Sequence, residues 1–132
     1  MPTEQRKKVL IVDDDRLMRG ILRRNVVLAG YEALLASTGA EALQKIREEI
    51  PDLIVVDLVM PDMNGFETCR QIRDNQSTKK TPVIVVSGLQ GETDNEKAIA
   101  SGADVFMTKP VNNEEFIKVV KRFLPSPFKM TP

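Results

Sequence analysis

Three short apolar runs stand out along the chain, each followed by a stretch in which apolar residues recur every three or four positions. The runs are rich in β-branched residues and too short for helices, so they predict strands buried on both faces. They are Val9-Leu10-Ile11-Val12, Leu53-Ile54-Val55-Val56 and Val83-Ile84-Val85-Val86. With two weaker runs, the predicted strands cover about residues 8–13, 32–36, 53–57, 83–87 and 104–107.

The intervening stretches predict helices whose apolar stripes cover the sheet. The clearest stripes are Met18, Ile21, Leu22 and Val26, and later Phe116, Val119, Val120, Phe123 and Leu124. At four places a side chain that can cap a helix stands three residues before a glutamate. These pairs are Thr38 with Glu41, Asn64 with Glu67, Thr93 with Glu96, and Asn112 with Glu115. Gly30 and Gly102 mark expected helix ends.

Repeated strand-then-helix units predict an α/β fold with a doubly wound, five-stranded parallel sheet, because right-handed crossovers place helices on both faces. We expect one domain over residues 8–124, after an extension at 1–7. Residues 125–132 are a C-terminal tail or the start of a linker, since Pro125-Ser126-Pro127 ends the last helix. In such sheets, ligands bind beyond the carboxyl ends of the strands, where the strand order reverses.

Charge and composition narrow the function. Lys+Arg and Asp+Glu number 19 each, and no run of like charge occurs, so we expect protein partners, with no direct nucleic-acid or membrane binding. A single cysteine and the lack of an apolar leader or membrane-length run predict a cytoplasmic protein. The chain has no histidine, so any chemistry rests on carboxylates, hydroxyls and lysine.

Polar residues stand where the predicted strands end. Asp13-Asp14-Asp15, Asp57 and Ser87 end the first, third and fourth strands, and Lys109 follows the fifth. Each alone has an ordinary explanation as a helix cap or a solvent-facing residue. Carboxylates gathered on one edge are costly unless a cation lies among them, and an oxygen-only ligand set suits Mg²⁺. Their joint placement therefore predicts a magnesium site.

Four motifs resemble the receiver domains of two-component response regulators, in the same order and at the same spacing, over about residues 8–124. The motifs are Val12-Asp13-Asp14, Val56-Asp57-Leu58-Val59-Met60-Pro61-Asp62-Met63-Asn64-Gly65, Val86-Ser87-Gly88 and Lys109-Pro110. In length the chain is similar to a chemotaxis-type single-domain receiver. The resemblance implies a flavodoxin-like, three-layer α/β/α architecture with strand order 2-1-3-4-5.

The resemblance also implies roles for individual residues. Asp57 would accept a phosphoryl group from a histidine kinase, a phosphotransfer protein or a small phosphodonor. Asp13, Asp14, Asp57 and the backbone carbonyl of Val59 would hold Mg²⁺. Lys109, oriented by a cis Lys109-Pro110 peptide bond, would pair with Asp57 and then with the phosphoryl group. Ser87 would reach toward a phosphoryl oxygen, with Gly88 leaving room for its approach.

The output of such a switch is also implied by the resemblance. Phe106 occupies the strand-five position of an aromatic switch residue, although it offers a partner no hydroxyl. Val59 and Leu89 flank the phosphorylation site, and both being apolar suggests slow self-dephosphorylation. The chain would catalyse only its own phosphorylation and dephosphorylation. A protein partner would bind the fourth helix, fifth strand and fifth helix, near residues 98–121, of a monomer or weak dimer.

Two other function classes are alternatives. A dehalogenase-like phosphatase or phosphotransferase would use Asp13 as nucleophile and Asp15 as acid/base, but would leave Asp57 and Lys109 unexplained. A flavodoxin-like module that binds partners without phosphorylation would predict gaps in the acidic cluster, the hydroxyl or the lysine, and the sequence has none.

Overall fold

The computed structural model describes residues 6–58, 64–88 and 92–125. Five strands alternate with five helices along these ranges. The strands are β1 (Lys8–Val12), β2 (Glu32–Ala36), β3 (Leu53–Val56), β4 (Val83–Ser87) and β5 (Val105–Thr108). The helices are α1 (Arg16–Leu28), α2 (Gly39–Glu48), α3 (Gly65–Asp74), α4 (Glu92–Ala100) and α5 (Asn113–Phe123). Each described helix is too short or too polar to cross a lipid bilayer.

The five strands form one parallel sheet in the order β2-β1-β3-β4-β5, which confirms the predicted fold class. The three strongest apolar runs are the three central strands and are almost wholly buried. The two weaker runs are the edge strands β2 and β5, which are partly exposed and therefore need fewer apolar residues. Val12 pairs with Ala36 on one side and Val56 on the other, so β1 and β3 end level with each other.

Alternate residues of the central strands point into two separate cores, one on each face of the sheet. On one face, Leu10 and Val56 pack in a core with residues of α2, α3 and α4. On the other, Ile11 and Val55 pack in a core with residues of α1 and α5. The molecule thus has the three α/β/α layers that the resemblance implied.

Most predicted helix ends are confirmed. Thr38, Asn64 and Asn112 each accept a hydrogen bond from the backbone N–H of the glutamate three residues later. Gly30 and Gly102 have φ values of 99° and 110°, a left-handed conformation that terminates α1 and α4.

Two details of the predicted helices are wrong. The N-cap at Thr93 is wrong because α4 already begins at Glu92; residues 92–96 are all polar, so the sequence offers several equivalent starts. Ile21 was expected to face the sheet, but it is 39% exposed. The buried stripe of α1 is narrow and consists of Leu22 and Val26, which stand one helical turn apart.

Candidate functional site

The two aspartates Asp13 and Asp57 lie side by side because they follow two paired strands. The Asp57 backbone N–H donates to the Val12 carbonyl at 2.9 Å, and the Asp13 N–H donates to the Ala36 carbonyl at 3.1 Å. Hydrogen bonds between neighbouring strands therefore continue one residue past the ends of β1 and β3. Both aspartates are almost fully buried, with 2% and 5% of their surface exposed.

Asp14 completes a group of three carboxylates. One oxygen from each of Asp13, Asp14 and Asp57 lies within 4.8 Å of the others. Asp14 is exposed, so the group opens to solvent on one side. Hard cations such as Mg²⁺ prefer oxygen ligands, and Mg²⁺ usually keeps several waters. The three side chains fit such an ion, with solvent available for its remaining ligands.

Lys109 bridges the two buried carboxylates. Its Nζ lies 3.2 Å from Asp13 Oδ2 and 3.3 Å from Asp57 Oδ2. The Lys109 backbone N–H donates to the Ser87 carbonyl at 2.8 Å, and the peptide bond between Lys109 and Pro110 is cis. Ser87 is fully buried at the end of β4. The ends of four strands thus bring the predicted aspartates, serine and lysine to one edge of the sheet.

The charges at this edge do not balance. Burial is the largest effect on Asp13 and raises its pKa, assisted by the charge of Asp57 and opposed by the Asp15 N–H and by Lys109. Burial lowers the pKa of Lys109, but the charges of Asp13 and Asp57 and the hydrogen bonds to them outweigh it, so the pKa is raised. Lys109 therefore stays protonated at neutral pH. One ammonium group faces three carboxylates, which favours binding of a further cation.

Gly65 supports Asp57 from behind, a contact that sequence reasoning missed. It is the first residue of α3, and its N–H donates to the Leu58 carbonyl at 2.9 Å. A Cβ atom at this position would overlap the Asp57 carbonyl oxygen and the Leu58 Cα. Only glycine allows α3 to begin this close to the backbone that carries Asp57. The available signal was a glycine directly after the capping Asn64.

Arg19 is a second residue that the sequence analysis missed. Its Nη1 donates to the Asp13 carbonyl at 2.8 Å and so fixes the backbone of the acidic cluster. Arg19 follows Asp15 by one helical turn, which was the only signal in the sequence. The Asp15 carboxylate accepts hydrogen bonds from the backbone N–H groups of Leu17 and Met18 and caps α1. Asp15 therefore has a structural role, which argues against the dehalogenase-like arrangement with Asp13.

Only some of the remaining predicted residues lie within the described ranges. Phe106, on β5, is partly buried and packs against the core that includes α2, α3 and α4. Val59 and Leu89 lie outside the described residues. The metal contact through the Val59 carbonyl and the apolar flanks of Asp57 therefore stay predictions.

The fold and the site define a class of protein: a doubly wound α/β domain with an acidic, lysine-bridged cluster where the strand order reverses. The family model of the response regulator receiver domain matches residues 9–121. The chain belongs to this family and is a receiver domain of two-component response regulators.

Individual relatives agree with this assignment. The chain is 35% identical over 119 residues to protein PilG of Pseudomonas aeruginosa, covering 90% of this chain and 88% of PilG. It is 32% identical to the polar-differentiation response regulator DivK of Brucella ovis, covering 89% of this chain and 96% of DivK. The solved structure of chemotaxis protein CheY4 of Vibrio cholerae matches with a TM-score of 0.86 and 34% identity, over 90% of this chain and 99% of that one.

Proposed function

We propose that this receiver domain accepts a phosphoryl group on Asp57 in a Mg²⁺-dependent reaction, and that the aspartyl phosphate switches binding of a protein partner. The observation that carries the proposal is the buried Asp57 carboxylate, held 3.3 Å from the Lys109 ammonium within a group of three carboxylates. The donor is a histidine kinase or phosphotransfer protein. Because this sequence has no histidine, a phosphohistidine donor lies outside it.

In the transfer, an Asp57 carboxylate oxygen forms the new bond to phosphorus, and the bond from phosphorus to the donor nitrogen breaks. The donor imidazole keeps the electron pair. Asp13, Asp14 and Asp57 would hold Mg²⁺, which neutralises charge on the phosphoryl oxygens. Lys109 neutralises part of the same charge and moves its contact from the carboxylate to the phosphoryl group.

The phosphoryl group would be sensed by Ser87, whose hydroxyl donates to a phosphoryl oxygen. Ser87 and Phe106 lie on paired strands, where Phe106 pairs with Val85 and Ser87 pairs with Thr108. A shift of Ser87 toward the phosphoryl group would change the space open to Phe106 and alter the surface of α4, β5 and α5, near residues 98–121. A partner would recognise this surface without a hydrogen bond from the residue-106 side chain.

We further propose where and in what form the switch works. The receiver unit spans residues 8–124, works in the cytoplasm as a monomer or weak dimer, and does not act on free metabolites. Its single cysteine, Cys69, is buried, and burial raises the pKa of its thiol to about 11, so it is a poor nucleophile. The thiol therefore offers no competing chemistry.

The test is the intact mass of the full chain after incubation with acetyl phosphate, with and without Mg²⁺. We expect a gain of one phosphoryl group that requires Mg²⁺ and is absent in Asp57→Asn. Asp74→Asn, at an exposed position at the end of α3, is the matched control and should gain the group normally. A gain that persists in Asp57→Asn would contradict the proposed site. No gain in folded wild-type protein, with acetyl phosphate or with partner kinases, would favour the partner-binding module that needs no phosphorylation.

Slow self-dephosphorylation is tested separately on the phosphorylated protein. Val59→Asn adds a polar side chain that can align a water beside the aspartyl phosphate, so we expect faster loss of phosphoryl in this variant than in the wild type. A shorter lifetime in the wild type than in Val59→Asn would contradict this part of the proposal.

A further inference from the structure

A groove between α1 and α5 is not explained by the phosphorylation chemistry. Its volume is about 480 Å³. Its lining contains none of the predicted phosphorylation-site residues and consists of Asn25, Leu28, Ala29, Asn113, Glu114, Ile117, Lys118 and Lys121. The Asn25 amide donates to Asn113 Oδ1 at 2.8 Å and ties the two helices together. The groove is therefore already formed in the free protein.

The groove continues an apolar stripe along α1. Leu28 is 70% exposed and Leu17 is 73% exposed, with Ile21 between them. These residues lie four and seven positions apart, which places them on one face of the helix. Single exposed leucines are common on proteins, but three large apolar side chains in line beside a preformed groove are typical of a binding surface.

The rim of the groove is positively charged. α1 contains four arginines and no acidic residue, and one of them, Arg24, stands one turn before Leu28. Lys118 and Lys121 supply two further cations from α5, against the single carboxylate of Glu114. Within the described residues, no ion pair engages Arg24, Lys118 or Lys121. The whole chain has a formal net charge of zero, so this positive charge is local to the surface.

We propose that this groove binds an acidic amphipathic helix of a partner protein. Apolar side chains at every third or fourth position of that helix would lie on Leu28, Ala29 and Ile117, and its flanking carboxylates would meet Arg24, Lys118 and Lys121. The groove shares α5 with the proposed output face, whereas α1 lies outside that face.

Charge distinguishes this occupant from two others. A second copy bound through the same surface about a two-fold axis would bring the two positive rims together, which is repulsive. Residues 126–132 of this chain contain Lys129 and no acidic residue, so they do not complement the rim either. An acidic amphipathic helix complements both the apolar residues of the groove and the positive charge of its rim.

The test uses the full chain and a labelled synthetic helical peptide with leucines on one face and glutamates on both flanks. We expect saturable binding by fluorescence anisotropy, weakened at least about tenfold by Leu28→Glu, with amide NMR shifts confined to α1 and α5. Lys121→Glu should weaken binding of the glutamate peptide and strengthen binding of a matched peptide that carries lysines in place of the glutamates. Lys79→Glu, on an exposed loop away from the groove, is the control and should change neither.

Three results would overturn the proposal. The first is equal affinity of Leu28→Glu and wild type, with both folded by circular dichroism. The second is a wild-type dimer in sedimentation that Leu28→Glu converts to monomer, which would assign the groove to a second copy. The third is at least about tenfold tighter peptide binding after deletion of residues 126–132, which would assign it to the chain's own end.

Discussion

Charged groups gather at both edges of the sheet, but the partners of these groups differ. At the amino ends of the strands, Arg73 forms an ion pair with Asp104 at 2.7 Å, and Asp104 also accepts the Val83 N–H at 2.8 Å. The rest of the guanidinium donates to the carbonyls of Gly102, Thr78, Lys79 and Thr81. At the carboxyl ends, three carboxylates share the one ammonium of Lys109.

The difference separates structural charge from functional charge. Each guanidinium nitrogen of Arg73 has a protein acceptor, so the group stabilises the fold without any ligand. The acidic edge has the single ammonium group of Lys109 for three carboxylates, so the excess negative charge lowers the stability of the metal-free protein and favours binding of a cation. An imbalance of charge is common at functional sites, and the stability lost there is offset elsewhere in the fold.

The largest expected effect comes from Gly65→Ala at the acidic edge. The added methyl group would overlap the backbone of Asp57 and Leu58, so we expect a loss of about 3 kcal/mol in the free energy of unfolding and a sharp drop in phosphorylation. Urea denaturation measures the loss. The control is Gly20→Ala in α1, where a Cβ meets no atom within 4 Å and the helix should gain about 0.5 to 1 kcal/mol. Equal effects of the two substitutions would contradict the close contact at Gly65.

The next effect concerns the opposite edge. Arg73→Met keeps an aliphatic side chain but leaves Asp104 and several carbonyls without their donor, so we expect a loss of about 2 kcal/mol in unfolding free energy. Phosphorylation should continue in the folded variant, because Arg73 lies at the other end of the strands. Arg70→Met removes only an exposed pair with Glu67 at 3.5 Å and should cost less than about 0.5 kcal/mol. An equal loss of unfolding free energy in Arg73→Met and Arg70→Met would contradict the structural role of Arg73.

Asp13→Asn tests the charge imbalance at the carboxyl ends of the strands. Because it removes a buried negative charge from an unbalanced cluster, we expect it to stabilise the metal-free protein by about 1 kcal/mol. Added Mg²⁺ should raise the melting temperature of the wild type and have much less effect on the variant. An equal ionic strength of a monovalent salt is the control. A variant less stable than the metal-free wild type would show that Asp13 contributes to folding more than it costs.

The smallest effect concerns Glu41, a carboxylate of α2 that has protein donors. The Ser37 N–H, at 2.6 Å, is the main cause of its lowered pKa. A carboxylate whose pKa is lower in the folded state stabilises the fold above its ordinary value of 4.5, and this contribution is lost as the pH falls through the folded value.

We therefore expect Glu41→Gln to cost about 0.5 kcal/mol at neutral pH, with the difference from wild type shrinking in acid. Urea denaturation across this pH range measures it. Glu48→Gln, near the end of the same helix, should show little change. If the loss of unfolding free energy in Glu41→Gln grew as the pH fell, the result would contradict a lowered pKa for Glu41 in the folded protein.

The sequence predicted much of this structure because its signals are local. Buried strands appear as β-branched runs, and three of the four predicted caps form as expected. The aspartates, Ser87 and Lys109 could be placed together because parallel strands bring their carboxyl ends to one edge. The strand order came only from the family resemblance, since periodicity does not record which strands pair.

What the sequence did not predict depends on backbone contacts between distant segments. The carbonyl acceptors of Arg73 lie up to 29 residues away and have no side-chain signature. The contact of Gly65 is likewise with the backbone of Asp57 and Leu58. Ile21 has the spacing of a buried residue, but the buried residues of α1 are Leu22 and Val26, and Ile21 is 39% exposed.

The most direct test of the central claim is to locate the phosphoryl group. After reaction with acetyl phosphate and Mg²⁺, borohydride reduces an aspartyl phosphate to homoserine, which tandem mass spectrometry assigns to a residue. The tryptic peptide from Glu48 to Arg70 contains Asp52, Asp57 and Asp62, so fragment ions must separate them. We predict homoserine at position 57 alone, and none without Mg²⁺. Homoserine at another aspartate, or equal labelling without Mg²⁺, would contradict the account.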